Sequence, residues 1–240
     1  MAGLDTTMGG SRVTFPETAW STVLTDPSAS AHRERLNQLC AQYWRPVYRF
    51  IRAQWGKSVD DAKDLTQAFF CWVLQEEVIP KYQPREGRFR VFLKSVLKNF
   101  LRNDHRNSQR LKRGGDHPII PIQVEDVEDG GESPEDAFDK QWAQDVLSQS
   151  MRTLRKSLID EGKRKYFEAY EAYDLRGKQD RPTYAQLALS LGLSEDDIDN
   201  YLDHVRARLN KLVVLTISES VATRDDLELE VKELFPTEHV

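Results

Sequence analysis

The feature that most constrains this chain of 240 residues is an abrupt change of charge in its middle. Residues 114–136 hold eight acidic residues and no lysine or arginine, and glycine and proline recur among them. This composition is typical of an extended linker rather than of a packed core. Because a domain averages about 150 residues, the chain is long enough for two modest domains. The sequence therefore predicts one folded domain on each side of this segment.

Apolar residues on both sides follow the three-and-four spacing of amphipathic helices. Before the linker, this spacing predicts three helices with a shared aromatic-rich core: one over 31–55, one that Ser58 caps, and one from about Gly87 to beyond Arg110. Pro46 should kink or split the first of them. No segment alternates convincingly as a strand, so the expected fold class is all-α.

After the linker, the spacing predicts two more helices and then a helix-turn-helix from Pro182 to Leu209. Gly192 would make its turn, and Ser194 would cap its second helix. The tail over 217–240 has a net charge of −5 and helically spaced apolar residues. It would fold back on the helix-turn-helix domain or dock a regulator. We therefore divide the chain into a disordered N-terminus over 1–14, a first helical domain over 15–113, the linker over 114–136, the helix-turn-helix domain over 137–215 and an acidic C-terminal helix over 216–240.

Enzymatic, metal-binding and membrane functions find no support in the sequence. Cys40 and Cys71 are far apart, the five histidines are scattered, and the HExxH, GxSxG and GxxxxGK motifs are missing. No apolar run approaches the length of about 20 residues that spans a bilayer, and the first residues do not form a signal peptide. The sequence predicts a cytoplasmic protein that is not an enzyme and needs no cofactor or metal.

The strongest functional signal is a row of cations on the third predicted helix. Lys94, Lys98, Arg102, Arg106 and Arg110 recur every four residues and so follow one face of that helix. Residues 81–113 have a net charge of +9, although the whole chain carries −5. An ordinary solvated face mixes both signs, so this excess favours a surface that binds phosphate groups.

Aromatic and amide side chains accompany the row of cations. Tyr82, Phe89 and Phe92 lie at its start, and a charged groove with aromatic platforms is how proteins hold single-stranded bases. Core packing is the competing interpretation for Phe92. Asn99 and Asn103 lie one helical turn apart and could contact base edges through their amides, or simply face solvent.

Taken in order, several segments resemble the extracytoplasmic-function sigma factors of bacterial RNA polymerase, in the type common in planctomycetes and their relatives. These segments are TAWSTVL, YWRPVYRFI, DDAKDLTQAFF, GRFRVFLKSVLKNFL, LKRGG and the helix-turn-helix. The resemblance covers about residues 15–215. It implies that the two domains are sigma regions 2 and 4, and that the chain brings core polymerase to a promoter and opens it.

The resemblance also implies roles for particular residues. Asp61, Asp64 and Gln67 would dock on the clamp helices of the polymerase, although acids in a first helical turn also favour the helix dipole. The third helix would melt and hold the minus-ten element of the promoter. Its contacts would come from Phe89, Arg90, Lys94, Lys98, Asn99, Arg102, Asn103, Arg106 and Arg110. The acidic linker would thread toward the active site and RNA exit path and stand in for RNA phosphates.

Lys63 stands where the family often has an acid, which weakens the negative docking surface. Thr66 follows three residues later and so neighbours Lys63 on the helix surface. A phosphate on Thr66 would add a charge of about −1.5 to −2 there. We therefore consider phosphorylation of Thr66 by a Ser/Thr kinase as a hypothesis.

The recognition helix of the helix-turn-helix is unusually acidic, because it has five acids between Ser194 and Arg208. Acids repel DNA phosphates, so this helix would read the minus-thirty-five box or instead meet a protein, such as the polymerase flap or an anti-sigma regulator. The candidate DNA contacts are Thr183, Tyr184, Ser194, Asp197, Asn200, Tyr201, His204 and Arg208. Two hypotheses stay open: a sigma factor, or a sigma-like adaptor with weak or no minus-thirty-five recognition. A plain helix-turn-helix repressor would leave the first domain unexplained.

Overall fold

The computed structural model describes residues 29–55, 58–76, 78–82, 87–113, 132–177 and 179–236. Every regular element in these ranges is helical, so the all-α prediction is confirmed for the part described. The predicted disordered N-terminus over 1–14 and most of the predicted linker, 114–131, lie outside these ranges.

Eight α-helices and one 3₁₀ turn follow each other along the described residues. They are α1 (Ala29–Trp55), α2 (Val59–Gln75), the 3₁₀ turn (Ile79–Lys81), α3 (Phe89–Arg113), α4 (Pro134–Asp160), α5 (Arg164–Tyr173), α6 (Tyr184–Leu191), α7 (Glu195–Ser218) and α8 (Arg224–Leu234). Pro46 lies inside α1 without splitting it, so the predicted split is wrong. Val47 and Phe50, which are wholly buried just after the proline, anchor the second half of the helix in the core.

Short-range signals fix several helix ends as the sequence predicts. The Ser58 hydroxyl accepts a hydrogen bond from the Asp61 amide at 3.1 Å and caps α2. The Ser194 hydroxyl does the same for the Asp197 amide at the start of α7. Gly192 has a φ of +63°, the left-handed conformation that ends α6 and lets the chain turn.

The described residues form two compact units, but the boundary differs from the prediction. The second unit is Gln144–Ser218 with residues 235–236, whereas the first unit combines Glu219–Leu234 with the described part of Thr14–Ala143. The boundary therefore falls inside α4, not at residue 136. Residues 134–136, predicted as the end of the linker, are the first turn of α4.

The first unit has an aromatic core to which α4 contributes. Tyr43 of α1 stacks on Trp142 of α4, with ring centroids 4.6 Å apart, and also contacts Phe89 of α3 at 5.3 Å. Phe69 of α2 meets Phe100 of α3 edge-on at 5.4 Å. These contacts explain the shifted boundary, because the start of α4 carries part of the core of the first unit.

The C-terminal helix belongs to the first unit rather than to the helix-turn-helix unit. The Phe89 amide donates a hydrogen bond to the Ser220 carbonyl at 3.3 Å, so the segment before α8 meets the start of α3. Leu227 and Val231 of α8 are buried. The prediction that the tail folds back on the helix-turn-helix domain is therefore wrong.

Candidate nucleic-acid interface

The core face of α3 repeats every four residues. Phe89, Leu93, Leu97 and Leu101 are buried, whereas Phe92, Val96 and Phe100 at the edges of that face are half-buried. The amphipathic helix predicted for this segment is thus confirmed. The cations lie beside this face, and their environment changes along the helix.

Arg90 and Glu230 are both wholly buried and pair with each other. The Arg90 side chain is 0% exposed, and it donates hydrogen bonds to both Glu230 carboxylate oxygens at 2.6 and 2.9 Å. It also donates to Glu233 at 2.6 Å and forms an ion pair with Asp139. A buried guanidinium is tolerated only with such partners, and here they come from α4 and α8.

Neighbouring cations are paired with the same two helices. Arg88, just before α3, contacts Glu230 at 2.9 Å and Glu233 at 2.7 Å. Lys94 contacts Asp139 at 2.8 Å, and Lys98 forms an ion pair with Glu135. We call Arg88, Arg90, Lys94 and Lys98 the inner cations. Four carboxylates meet these four cations, so the formal charge of the cluster is zero.

The pKa directions agree with this pairing. Burial alone would lower the pKa of Arg90, but its hydrogen bonds to Glu230 and Asp139 outweigh burial and raise it. A hydrogen bond from Arg88, with a further one from Arg90, lowers the pKa of Glu233 from 4.5 to about 2. For Arg90 and Glu233, the pKa directions therefore favour the charged forms.

The structure does not present the start of the predicted minus-ten surface to a ligand. Phe89 and Arg90 are wholly buried, so the prediction that they contact DNA is not met in this conformation. Tyr82 is also buried, packs against Phe89 and Phe92, and donates its hydroxyl to the Gly87 carbonyl at 2.7 Å. These aromatic rings form core contacts rather than open platforms for bases.

The outer half of α3 is open. Asn99, Arg102 and Asn103 are exposed, and Lys98 at the junction is 41% exposed. The side chains of Arg106 and Arg110 lie outside the part that the structure describes. Among the predicted contacts whose side chains the structure describes, Asn99, Arg102 and Asn103 are therefore the ones fully available to phosphates, with Lys98 available in part.

The predicted polymerase-docking residues share an exposed surface of α2. Asp61, Asp64 and Gln67 are all exposed, and each lies one turn from the next. Asp61 also accepts a hydrogen bond from the Ser58 hydroxyl at 2.7 Å, which orients its carboxylate at the start of the helix. We call these three residues the α2 row.

Thr66 does not lie on that surface. It is 0% exposed, and its hydroxyl donates to the Ala62 carbonyl at 2.7 Å. A kinase cannot reach a hydroxyl inside the core, and a phosphate there would bury about two negative charges. The hypothesis that Thr66 is phosphorylated is therefore wrong for the folded protein.

In the second unit, several predicted DNA contacts instead cap helices. Thr183 and Gln186 form a reciprocal capping box at the start of α6. Asp197 accepts hydrogen bonds from the Ser194 amide and hydroxyl at 3.1 and 2.7 Å, and these bonds lower its pKa. These side chains have a local structural role.

Three other predicted contacts, two on α7 and one on α6, pack against α5. Tyr201 stacks on Tyr166 with ring centroids 3.7 Å apart, and His204 meets the same ring edge-on. Burial lowers the pKa of His204, and the positive charges of Lys163 and Arg208 lower it further. Tyr184 meets Tyr173 edge-on at 5.0 Å.

Both arginines of the recognition helix are held by acids of their own unit. Arg208 donates to the two Glu161 carboxylate oxygens at 2.9 and 2.7 Å, and Arg206 donates to Asp174 at 2.8 and 3.1 Å. The hydrogen bond from Arg208 is the main cause that lowers the pKa of Glu161 to about 2. Because Arg206 and Arg208 are bound to these carboxylates, neither is free to bind a DNA phosphate.

The exposed side of α7 is consequently acidic. Glu195, Asp196, Asp199 and Asp203 are exposed there, together with Asn200, whose amide donates to the Asp196 carbonyl at 2.8 Å. This arrangement repels a DNA backbone more than it attracts one.

Sequence reasoning missed the acids that cover the inner cations, namely Glu135, Asp139, Glu230 and Glu233. The available signal was the net charge of −5 over 217–240, opposite in sign to that of 81–113. Within the described ranges, no three His, Cys, Asp or Glu side chains are grouped as a metal ion would require. None of the helices there is both long and apolar enough to cross a membrane. No protein-family model, curated protein or solved structure matches this chain.

Proposed function

We propose that this chain is a sigma factor, a non-enzymatic subunit that binds core RNA polymerase and directs promoter recognition, promoter opening and transcription initiation. One observation carries the proposal: a single helical unit combines the exposed α2 row with a cationic helix, α3, packed against α2 through Phe69 and Phe100. The α2 row would meet the polymerase clamp helices. The outer half of α3 would hold the separated minus-ten strand. In this proposal the protein acts in the cytoplasm.

The direct test is transcription in vitro with bacterial core polymerase, this protein and a pool of genomic promoter fragments, followed by sequencing of the transcript starts. The proposal expects discrete starts that share an upstream motif. Polymerase binding without such starts would favour the adaptor described below. A chain that does not bind polymerase at all would contradict both.

The docking half of the proposal has its own test. Neutralising Asp61 and Asp64 together (Asp61→Asn with Asp64→Asn) should weaken binding to core polymerase by about tenfold or more, because docking rests on few residues. The matched control is Glu76→Gln, which neutralises an exposed carboxylate at the other end of α2. Equal binding by both variants would show that this row is not the docking surface.

A second candidate function is a sigma-like adaptor that binds polymerase or an anti-sigma regulator without reading a minus-thirty-five box. The acidic exposed side of α7, with Arg206 and Arg208 held by Asp174 and Glu161, favours it. The two candidate functions give the first unit the same role and the second unit different roles. The transcript starts and their motifs distinguish them.

A further inference from the structure

We infer that α8 is an autoinhibitory helix, which covers the inner cations of α3 with its own carboxylates and is displaced when the backbone of single-stranded DNA takes their place. The inference rests on the proposed function only in requiring that α3 binds nucleic acid. It adds a regulatory element, since the resemblance stops at about residue 215 and assigns nothing to α8.

The chemistry of the contact resembles that of phosphate binding. Arginine binds carboxylate and phosphate in the same bidentate geometry, with parallel N–H groups. Glu230 receives hydrogen bonds from Arg88 at 2.9 Å and from Arg90 at 2.6 and 2.9 Å. Glu233, one turn later on α8, receives them from Arg88 at 2.8 Å and Arg90 at 2.6 Å. Two anionic groups on one helix thus occupy the positions that two phosphates would need.

The same contact makes the attachment of α8 depend on the arginines. Glu230 is 0% exposed, and a buried carboxylate without partners is strongly unfavourable. If phosphates took Arg88 and Arg90, Glu230 could not stay buried, and α8 would leave. The docked helix and bound DNA are therefore mutually exclusive at these two side chains.

The remaining attachment of α8 is small. The helix has 11 residues, and isolated helices shorter than about 12–15 residues are marginal in water. Its apolar contacts come from Leu227, Val231 and Leu234. Its other side is exposed at Glu228 and Leu229, so it is held along one face only. Such an element is a candidate for local release without unfolding of the unit.

The geometry suggests an order of events. The open outer half of α3, with Asn99, Arg102 and Asn103, makes the first contact with the strand. The strand then extends toward Lys94 and Arg90 and displaces α8. Release removes the two α8 carboxylates from Arg88 and Arg90, whereas Glu135 and Asp139 of α4 stay in place, and Asp139 still contacts Arg90.

The first experiment measures binding of a fluorescein-labelled single-stranded oligonucleotide to the full chain by fluorescence anisotropy. The double variant Glu230→Gln with Glu233→Gln should bind about tenfold more tightly than the unmodified chain at low salt. Its salt dependence should be steeper by about 1.4 in log–log slope, equal to two further phosphate contacts on a single strand. The control Glu228→Gln removes an exposed carboxylate of α8 that contacts only Arg224 among the ion pairs described, and it should leave affinity unchanged.

The single variant Glu233→Gln controls for a folding defect in the double variant. The Glu233 side chain is 47% exposed, so its substitution does not change the buried core. The single variant should raise affinity about threefold. Unchanged affinity in both the double and the single variant overturns the inference, since two neutralised carboxylates beside a phosphate-binding surface must strengthen it.

The second experiment follows hydrogen exchange of residues 219–234 in the unmodified chain. Saturating oligonucleotide should speed exchange in α8. Bound DNA with unchanged or slower exchange in α8 overturns displacement. Binding of the same proteins to core polymerase is measured in parallel. If the chain releases α8 when it binds DNA but does not bind polymerase, the sigma proposal is refuted and the autoinhibitory role of α8 still stands.

Discussion

At the scale of single residues, burial decides what a polar side chain can do. Thr66 and Gln67 are neighbours in sequence, yet one is 0% exposed and the other lies on the surface. Sequence spacing put Thr66 beside Lys63 but did not reveal that its side chain turns into the core. The hydrogen bond to the Ala62 carbonyl explains why a hydroxyl is accepted there.

The first prediction follows from that burial. Thr66→Glu should lower the free energy of unfolding by about 3 kcal/mol or more, because it buries a carboxylate without a partner. Thr66→Val, which replaces the hydroxyl with a methyl group, should cost about 1 kcal/mol. Urea unfolding measures both variants. The control is Gln67→Glu on the exposed surface, whose free energy of unfolding should lie within about 0.5 kcal/mol of that of the unmodified chain. A stable Thr66→Glu variant would mean that this part of α2 opens to solvent.

The second prediction concerns the titration of Glu233. Its pKa is lowered from 4.5 to about 2 by hydrogen bonds from Arg88 and Arg90. A lowered carboxyl pKa stabilises the folded state above the unfolded value, so this contribution is complete above pH 4.5 and is lost as the pH falls toward 2. Carbon-detected NMR of the Glu233 carboxyl should give a midpoint near 2. Arg88→Gln should move the midpoint toward 4.5.

The control for this titration is Arg224→Gln, which removes the 3.1 Å contact to Glu228 at the start of α8. It should leave the Glu233 midpoint unchanged. A midpoint near 4.5 in the unmodified chain would mean that α8 does not dock on the arginines in solution.

At the scale of elements, helices defined by local signals could be predicted, and contacts between distant segments could not. Ser58, Ser194 and Gly192 mark helix ends through bonds to residues at most four positions away, and the sequence predicts all three. The pairing of Arg90 with Glu230 joins positions 140 residues apart. No spacing rule links them, so the sequence indicated opposite charges but not that they meet.

The same contrast explains the boundary inside α4. Composition marks residues 134–136 as linker, yet Phe138 and Trp142, which follow directly, are buried in the core of the first unit. Because α4 belongs to both units, its apolar spacing continues without a break. That spacing therefore cannot show where the core of the first unit ends.

The third prediction tests this assignment. Trp142→Ala should lower the free energy of unfolding by about 4 kcal/mol, because it removes the ring stacked on Tyr43 and leaves a cavity. Gln144→Ala, an exposed position two residues later, should change it by less than about 0.5 kcal/mol. Chemical denaturation followed by circular dichroism compares them. A loss below about 1 kcal/mol in Trp142→Ala would contradict a structural role for α4 in the first unit.

At the scale of the whole molecule, the two units differ in the charge that they expose on α3 and α7. The first unit exposes Arg102 on α3, whereas the exposed side of α7 in the second unit carries Glu195, Asp196, Asp199 and Asp203. Arg206 and Arg208 are both held by carboxylates of the second unit. Under the proposed function, promoter contacts therefore concentrate on the first unit.

The fourth prediction is that initiation depends on the minus-ten element far more than on the minus-thirty-five box. Promoters found by the transcript-start experiment are rebuilt with one element scrambled at a time. Scrambling the minus-ten element should abolish the transcript, since each lost base contact costs about 1–3 kcal/mol. Scrambling the upstream box should reduce the transcript less than about threefold, because the exposed acids of α7 gain little from any base sequence.

The opposite result has a structural meaning as well. If the upstream box is essential, we expect Arg208 to leave Glu161 and bind the DNA. Arg208→Gln would then abolish the dependence on that box, whereas Arg224→Gln on α8 would not. If the box is dispensable, both variants should initiate as the unmodified chain does, and the acidic side of α7 is free to meet a protein while the first unit holds the promoter.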